Sequence, residues 1–327
     1  VNTEIKFGYS SSINGDGDVA VFGGGAGANK GAAYVYTRSG TTWTYRAKLQ
    51  AADLADYDQF AMGGNNLAMN KVGDYIAIGA EEQSTTRGAV YVYTGSAASW
   101  SQQAKLTQSS AANYDQFGDQ VDINNDGTYI IAGAQAHDTG ETNTGSAFIF
   151  KRDGTSWSQQ AELQGSDTGA GDRIGVGVAI NGDGTYAASG ALYATNNFTS
   201  DGSVYVFTRS GSTWSQQAKI HLGAAGAASN GFGGIVSLNE DGDLLAVAAG
   251  GYNTNQQGKI YIYSRSGTSW SLAKTLSATG DAGDGSALGF AGVQASNTDM
   301  SGDGSVVAGT SARYNSQQGQ GHIFYVA

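Results

Sequence analysis

Tyr205-Val-Phe-Thr-Arg-Ser-Gly-Ser-Thr-Trp214-Ser-Gln-Gln-Ala-Lys-Ile220 decides the fold. It reads as two strands around a turn: Tyr205 and Phe207 alternate with Val204 and Val206, Ser210-Gly211 breaks the run, and Trp214 restarts it. The phrase returns as Arg38-Ser-Gly-Thr-Thr-Trp43, Arg152-Asp-Gly-Thr-Ser-Trp157 and Arg265-Ser-Gly-Thr-Ser-Trp270. Trp43, Trp100, Trp157, Trp214 and Trp270 stand 57, 57, 57 and 56 residues apart. A fixed period above 50 marks repeated supersecondary units.

A second landmark opens each unit: Phe7-Gly8, Phe60, Phe117-Gly118, Ile174-Gly175, Phe232-Gly233 and Phe290. Between landmark and Trp, each unit carries strand signals separated by turns. In the first, Tyr9–Ile13 leads to the turn Asn14-Gly-Asp-Gly17, then Val19–Phe22, then Ala33-Tyr-Val-Tyr36, and a fourth strand runs from Trp43 to Leu49. The third strands place aromatics on one face and Val35, Val92, Ile149, Val206 and Ile262 on the other. Strands apolar on both faces need a neighbouring sheet on each side, and four-stranded antiparallel sheets packed face to face around an axis are propeller blades. The expectation is all-β: one domain over residues 1–327, a six-bladed β-propeller of four-stranded antiparallel blades, with repeats opening near 7, 60, 117, 174, 232 and 290. The sixth unit ends at Gly321-His-Ile-Phe-Tyr-Val326 without a Trp-bearing fourth strand, so its blade is expected to be incomplete. Val1–Lys6 is expected to be too short to supply the missing strand.

The succession of Phe-Gly, a strand, Asn-x-Asp-Gly and an apolar strand ending in Gly-Ala resembles the FG-GAP repeat of integrin-α-type propellers, clearest from Phe117-Gly118 through Asn124-Asn-Asp-Gly127 to Gly133-Ala134. The Pro of the family's Gly-Ala-Pro is absent, its place taken by Gly25, Glu81, Gln135, Leu192, Tyr252 or Ser311. The family is commonly seven-bladed, whereas six units open here.

Composition narrows the chemistry. Of 327 residues 51 are Gly, roughly 16% against a usual ~7%, which suits a chain of many turns. Cys is absent, excluding disulfides, thiolate metal sites and cysteine nucleophiles. A net charge of −11 repels phosphate backbones and anionic lipid, so nucleic acid is not an expected partner. No apolar run reaches the 18 or so residues of a membrane span, and no membrane insertion is expected.

The resemblance implies calcium as the first ligand to test, because integrin-like loops place Asp or Asn at positions 1, 3 and 5. Asp122, Asn124 and Asp126 fit those positions, but position 9 is Ile130, and calcium asks for six to eight oxygens. Asp299, Ser301 and Asp303 repeat the pattern with Val307 at position 9. The competing reading is a tight turn in which Asn and Gly accept positive φ; no other cofactor is indicated. His137, His221 and His322 fall at three different places in the repeat with no paired carboxylate in sequence, so no enzyme activity is expected, although a triad can assemble across blades. Asp58, Asp115 and Asp172 recur in register and are read as backbone caps.

The units differ most between second and third strands, where connections project on one face and binding residues concentrate. These loops hold His137, Asp138, Glu141, Tyr193, Phe198, Tyr252, Asn253, Arg313 and Tyr314, a mixture suited to protein or glycan. The first functional expectation is a non-enzymatic module for adhesion or recognition, extracellular or on a cell or virion surface. The alternatives are a structural subunit of a fibre, tail or matrix, assembling with copies of itself by strand addition at Ile323–Val326, and a carbohydrate-active propeller enzyme.

Overall fold

The computed structural model describes residues 6–25, 29–96, 99–223, 231–250, 258–277, 287–288, 298–312 and 320–326. They form six antiparallel sheets arranged as the blades of a propeller, each running from an inner strand at the axis to the rim. Blade 1 is Lys6–Ile13, Val19–Gly25, Ala32–Ser39 and Thr42–Leu49. Blade 2 is Leu67–Met69, Tyr75–Ala80, Ala89–Ser96 and Ser99–Leu106. Blade 3 is Val121–Ile123, Tyr129–Ala134, Ser146–Asp153 and Ser156–Leu163. Blade 4 is Ile174–Ile180, Tyr186–Ala191, Ser203–Ser210 and Thr213–Ile220. Blade 5 is Phe232–Leu238, Leu244–Ala249, Lys259–Ser266 and Ser269–Ser277. In blade 6, Val306–Ala312 pairs on its inner side with Ala287–Leu288 and Thr298–Met300 and on its outer side with Gln320–Tyr325. Among the described residues that blade has three ranks of strand, and the sequence places no Trp after Trp270. Among the described residues the one helical turn is Gln83–Thr86.

Each Asn-x-x-Gly turn is held by its first residue. Asn124 Oδ1 accepts from Thr128 N and Tyr129 N, and Asn181 Oδ1 does the same for Thr185 and Tyr186. The closing glycine of each turn sits at positive φ, from 64° at Gly17 to 84° at Gly73, which explains its invariance within the repeat. The turns also bond to one another around the axis: Gly15 N donates to Lys71 O, Asn125 N to Gly182 O, Gly182 N to Glu240 O, and Glu240 N to Gly302 O.

The third strands decide how blades stack. Their aliphatic side chains face the following blade and their aromatics the preceding one, giving five shared cores along the ring. Between blades 2 and 3, for instance, Val90, Val92 and Leu106 meet Phe117, Phe148 and Phe150. At the rim the Trp residues tie neighbours together: Trp157 Nε1 donates to Gln103 Oε1, Trp214 to Gln160 and Trp270 to Gln217, at 2.8–3.0 Å. The Arg before each of these three Trp turns donates to the carbonyl of its own blade's inner turn and lies over a Tyr of the preceding blade, as Arg265 does with Gly242 O and the Tyr186 ring.

Between blades 6 and 1 the described residues share no core cluster. Phe7, Phe22, Tyr34, Tyr36 and Tyr45 of blade 1 pack on one another instead. Ile323, the counterpart of the buried Ile262, is 69% exposed. The opening of the sixth repeat at Phe290, and any pairing of Val1–Ile5 with Ile323–Val326, lie outside the described residues.

Phe148 is fully buried between blades 2 and 3. Phe148→Ala is expected to destabilise the fold by about 3–5 kcal/mol, read from a shift in denaturant midpoint. A loss under ~1 kcal/mol would show that this strand does not carry the inter-blade core.

Candidate functional site: the loop face

The inner turns and the Arg-x-Gly-x-x-Trp turns share one face of the ring. The opposite face carries the second-to-third loops and the segments leading into each new blade, and the two are zipped together. Tyr114 N, Gln116 N and Phe117 N donate to Thr85 O, Thr86 O and Arg87 O, while Gly171 N, Arg173 N and Ile174 N donate to Thr142 O, Asn143 O and Thr144 O. Short parallel bridges Gly31↔Phe60, Gly88↔Phe117 and Gly145↔Ile174 mark the same contact. The lead-in segments pay for this geometry with non-glycine residues at positive φ, among them Tyr57 (72°), Tyr114 (73°), Gln59 and Gln116.

Among the described residues Tyr57 and Tyr114 are also the most solvent-exposed aromatics of this face, at 63% and 66%. Neither is among the residues expected from loop variation. The available signal is the repeated Tyr-Asp-Gln-Phe of 57–60 and 114–117, an aromatic retained in a polar connection that has no core to fill. Asp58 and Asp115 cap the same segments, accepting from Ala55 N and Ala112 N, as Asp172 does from Gly169 N.

The expected loop residues separate into two kinds. Tyr193 and Phe198 of blade 4 are open to solvent, 37% and 39% exposed, on a loop held from inside. Buried Asp201 accepts from the backbone N–H groups of Asn196, Asn197 and Phe198, and Arg173 lies 5.4 Å over the Tyr193 ring. The blade 3 residues serve the loop itself. Asp138 Oδ1 accepts from Asn143 N, Glu141 Oε2 accepts from Ala170 N of the next lead-in segment, and His137 is buried. The 134–144 loop is thus part of the blade junction, and shortening it removes those bonds together with any surface it offers. Tyr252, Asn253, Arg313 and Tyr314 lie outside the described residues.

Around His137 the structure assembles groups that sequence spacing does not show. Its Nδ1 is 3.1 Å from Asp115 Oδ2, and its Nε2 is 3.3 Å from Ser110 Oγ and 3.5 Å from Glu162 Oε1. A second acidic group spans the same two blades. Burial raises both Glu81 and Asp119, and the neighbouring Asp119 pushes Glu81 further, up to about 10, so this hydrogen-bonded pair keeps a proton at neutral pH, and Gln135 Nε2 donates to Asp119 Oδ2 at 2.7 Å. Glu81 and Gln135 stand where the FG-GAP pattern has Pro.

Asp122, Asn124 and Asp126 each accept hydrogen bonds from backbone N–H groups. Asp122 borders the axial channel, a cavity of about 240 Å³ lined by all six inner strands, and accepts from Ile123 N and from Ile180 N of the next blade. Asn124 and Asp126 both turn to Thr128 N. Among the described residues no cluster of three or more His, Asp or Glu side chains is placed to hold a metal. Across one mouth of the channel, Lys71 of blade 2 and Glu240 of the opposite blade 5 form a 2.6 Å ion pair.

Burial, reinforced by Asp299 across the channel, pushes the Asp122 carboxyl up to about 7. With a folded value above the unfolded ~3.9, its ionisation opposes folding: stability falls as pH rises from about 4 to 7 and then levels. Asp122→Asn keeps an acceptor for Ile180 N and removes the titration. Melting temperatures of the two proteins are expected to converge near pH 4 and to separate, with the variant higher, by pH 7.5. Parallel profiles would place Asp122 in water.

Residues 43–93, 100–150 and 157–207 match the FG-GAP repeat, each match running from a Trp-bearing outer strand through the third strand of the next blade. The fold defines a six-bladed β-propeller, and these stretches are FG-GAP repeats. No curated protein sequence matches the chain. Solved structures share the architecture at low identity. The periplasmic gluconolactonase PpgL of Pseudomonas aeruginosa aligns with TM-score 0.55 and 15% identity over 97% of this chain and 88% of its own. U3-55K aligns with TM-score 0.58 and 12% identity over 97% and 80%. The chain spans 55% of the length of TolB from Acinetobacter baumannii, at TM-score 0.48 and 12% identity over 85% of this chain. Among the described residues no helix is long and apolar enough to cross a membrane.

Proposed function

We propose that the protein is an extracellular recognition propeller that binds protein or glycan through its loop face. The observation that carries this reading is the row of exposed aromatics Tyr57, Tyr114, Tyr193 and Phe198, spread over the lead-in segments of blades 2 and 3 and the loop of blade 4. Each sits on backbone tied down by the inter-segment bonds or by Asp201, so little ordering entropy opposes binding. Exposed rings on rigid supports suit the apolar faces of sugars and the aromatic anchors of protein interfaces. FG-GAP repeats support an extracellular setting.

A second reading, self-association as a structural subunit, is favoured by blade 6. Among the described residues its outer strand Gln320–Tyr325 pairs with Val306–Ala312 alone, and Ile323 and Tyr325 are 69% and 75% exposed. An unpaired apolar edge accepts a further strand.

Retention on glycan and extracellular-protein arrays tests the first reading. Replacing Tyr57, Tyr114, Tyr193 and Phe198 together by Ala is expected to weaken binding by at least ~100-fold while the melting temperature stays within a few degrees. Retention that survives the four substitutions moves the site elsewhere, and concentration-dependent oligomers without retention on either array favour the structural subunit.

A further inference from the structure

Blade 3 departs from its neighbours at a set of linked positions. In blade 2, Tyr91 Oη donates to Asp53 Oδ1 at 3.0 Å and Lys105 Nζ to Asp53 Oδ2 at 2.7 Å. Blade 4 repeats the set with Tyr205, Lys219 and Asp167, both bonds at 2.8 Å. One repeat of 57 residues from each, blade 3 has Phe148, Glu162 and Ser110. The phenol, the cation and the acid are all replaced, and the His137 ring packs edge-on to Phe148, 5.6 Å between centroids, beside the place of the missing hydroxyl.

We propose that Ser110 is the nucleophile of an acyl-transfer site, with His137 as its general base and Asp115 as the positioning residue, acting on neutral or cationic carboxylic esters. Buried Asp115 accepts at Oδ2 from Ala112 N and from Gln108 Nε2, which fixes the carboxylate as an acceptor. His137 Nδ1 then carries the hydrogen that it donates to Asp115, and the Nε2 lone pair is left facing Ser110 Oγ at 3.3 Å. Ser110 itself is exposed, at the edge of an open cavity of about 640 Å³ that Asp138, Thr139 and Glu162 also line. Asp138 and Glu162 repel anionic substrates, Glu162 Oε1 lying 3.5 Å from Nε2.

In the acylation step Ser110 Oγ bonds to the ester carbonyl carbon and its proton passes to His137 Nε2. The bond from that carbon to the alcohol oxygen breaks, and the departing alcohol takes the proton from Nε2. Water repeats the sequence to release the acid and restore Ser110.

The test treats the full chain with a fluorophosphonate, which phosphonylates an activated serine with loss of fluoride, and maps the adduct by peptide mass. The expected result is one adduct at Ser110 and none at the adjacent exposed Ser109, with a rate that falls when acid protonates the general base. His137→Gln is expected to slow labelling at least ~30-fold, and Ser110→Ala to abolish both the adduct and hydrolysis of p-nitrophenyl acetate. Labelling absent, spread equally over exposed serines, or unchanged in a folded His137→Gln protein overturns the proposal. Should that variant fail to fold, the pH profile of the unsubstituted protein decides, a flat profile being the negative result.

Discussion

A sheet with two apolar faces has no stable place in water by itself, and that constraint organises the whole molecule. The third strands send aliphatic side chains forward and aromatics backward, so each of blades 2 to 5 is half of two cores. Burial at each junction is the dominant favourable term. The hydrogen bonds between turns at the axis and the Trp–Gln bonds at the rim then fix the angle at which neighbours meet. No disulfide is available to do this work.

The same constraint explains why the junction between blades 6 and 1 looks different. Blade 1 presents a full aromatic face, Phe7 through Tyr45, and blade 6 answers it with Ile323 and with no Gln-bearing outer strand among the described residues for Trp43 to meet. The aromatics turn to one another, and Trp43 remains 41% exposed. Apolar surface left open in this way is where a further strand or a second molecule gains most, which gives the self-association reading its physical basis.

Duplication supplies the scaffold, and departures from the repeat supply individuality. The inner turns vary most at their second residue. Gly15, Gly182 and Gly302 leave space that the side chains of Lys71, Asn125 and Glu240 occupy, as shown by the 2.6 Å approach a Cβ on Gly15 would make to Lys71 Cγ. At the loop face, the exchange of a Tyr–Asp–Lys set for Phe148, Ser110 and Glu162 changes one blade junction from an ion-paired clamp into a chain of hydroxyl, imidazole and carboxylate.

The sequence by itself determined the blades. Trp spacing, the Asn-x-Asp-Gly turns and the two-faced third strands each report on local backbone or on a strand's own period, and these survive in a linear reading because a repeat contacts only its neighbours. The turn reading of Asn124 and Asp126 was equally legible, since both bond to backbone within a few residues. The sites were not. Asp115 and His137 are 22 residues apart and Asp122 bonds Ile180 from 58 residues away, pairings fixed only when successive blades dock. Which loop residues face solvent also waited on docking: Tyr57 and Tyr114 are exposed because the segment carrying them zips onto the preceding loop, whereas His137, on a loop that looked free, is drawn inward by the Asp115 carboxylate.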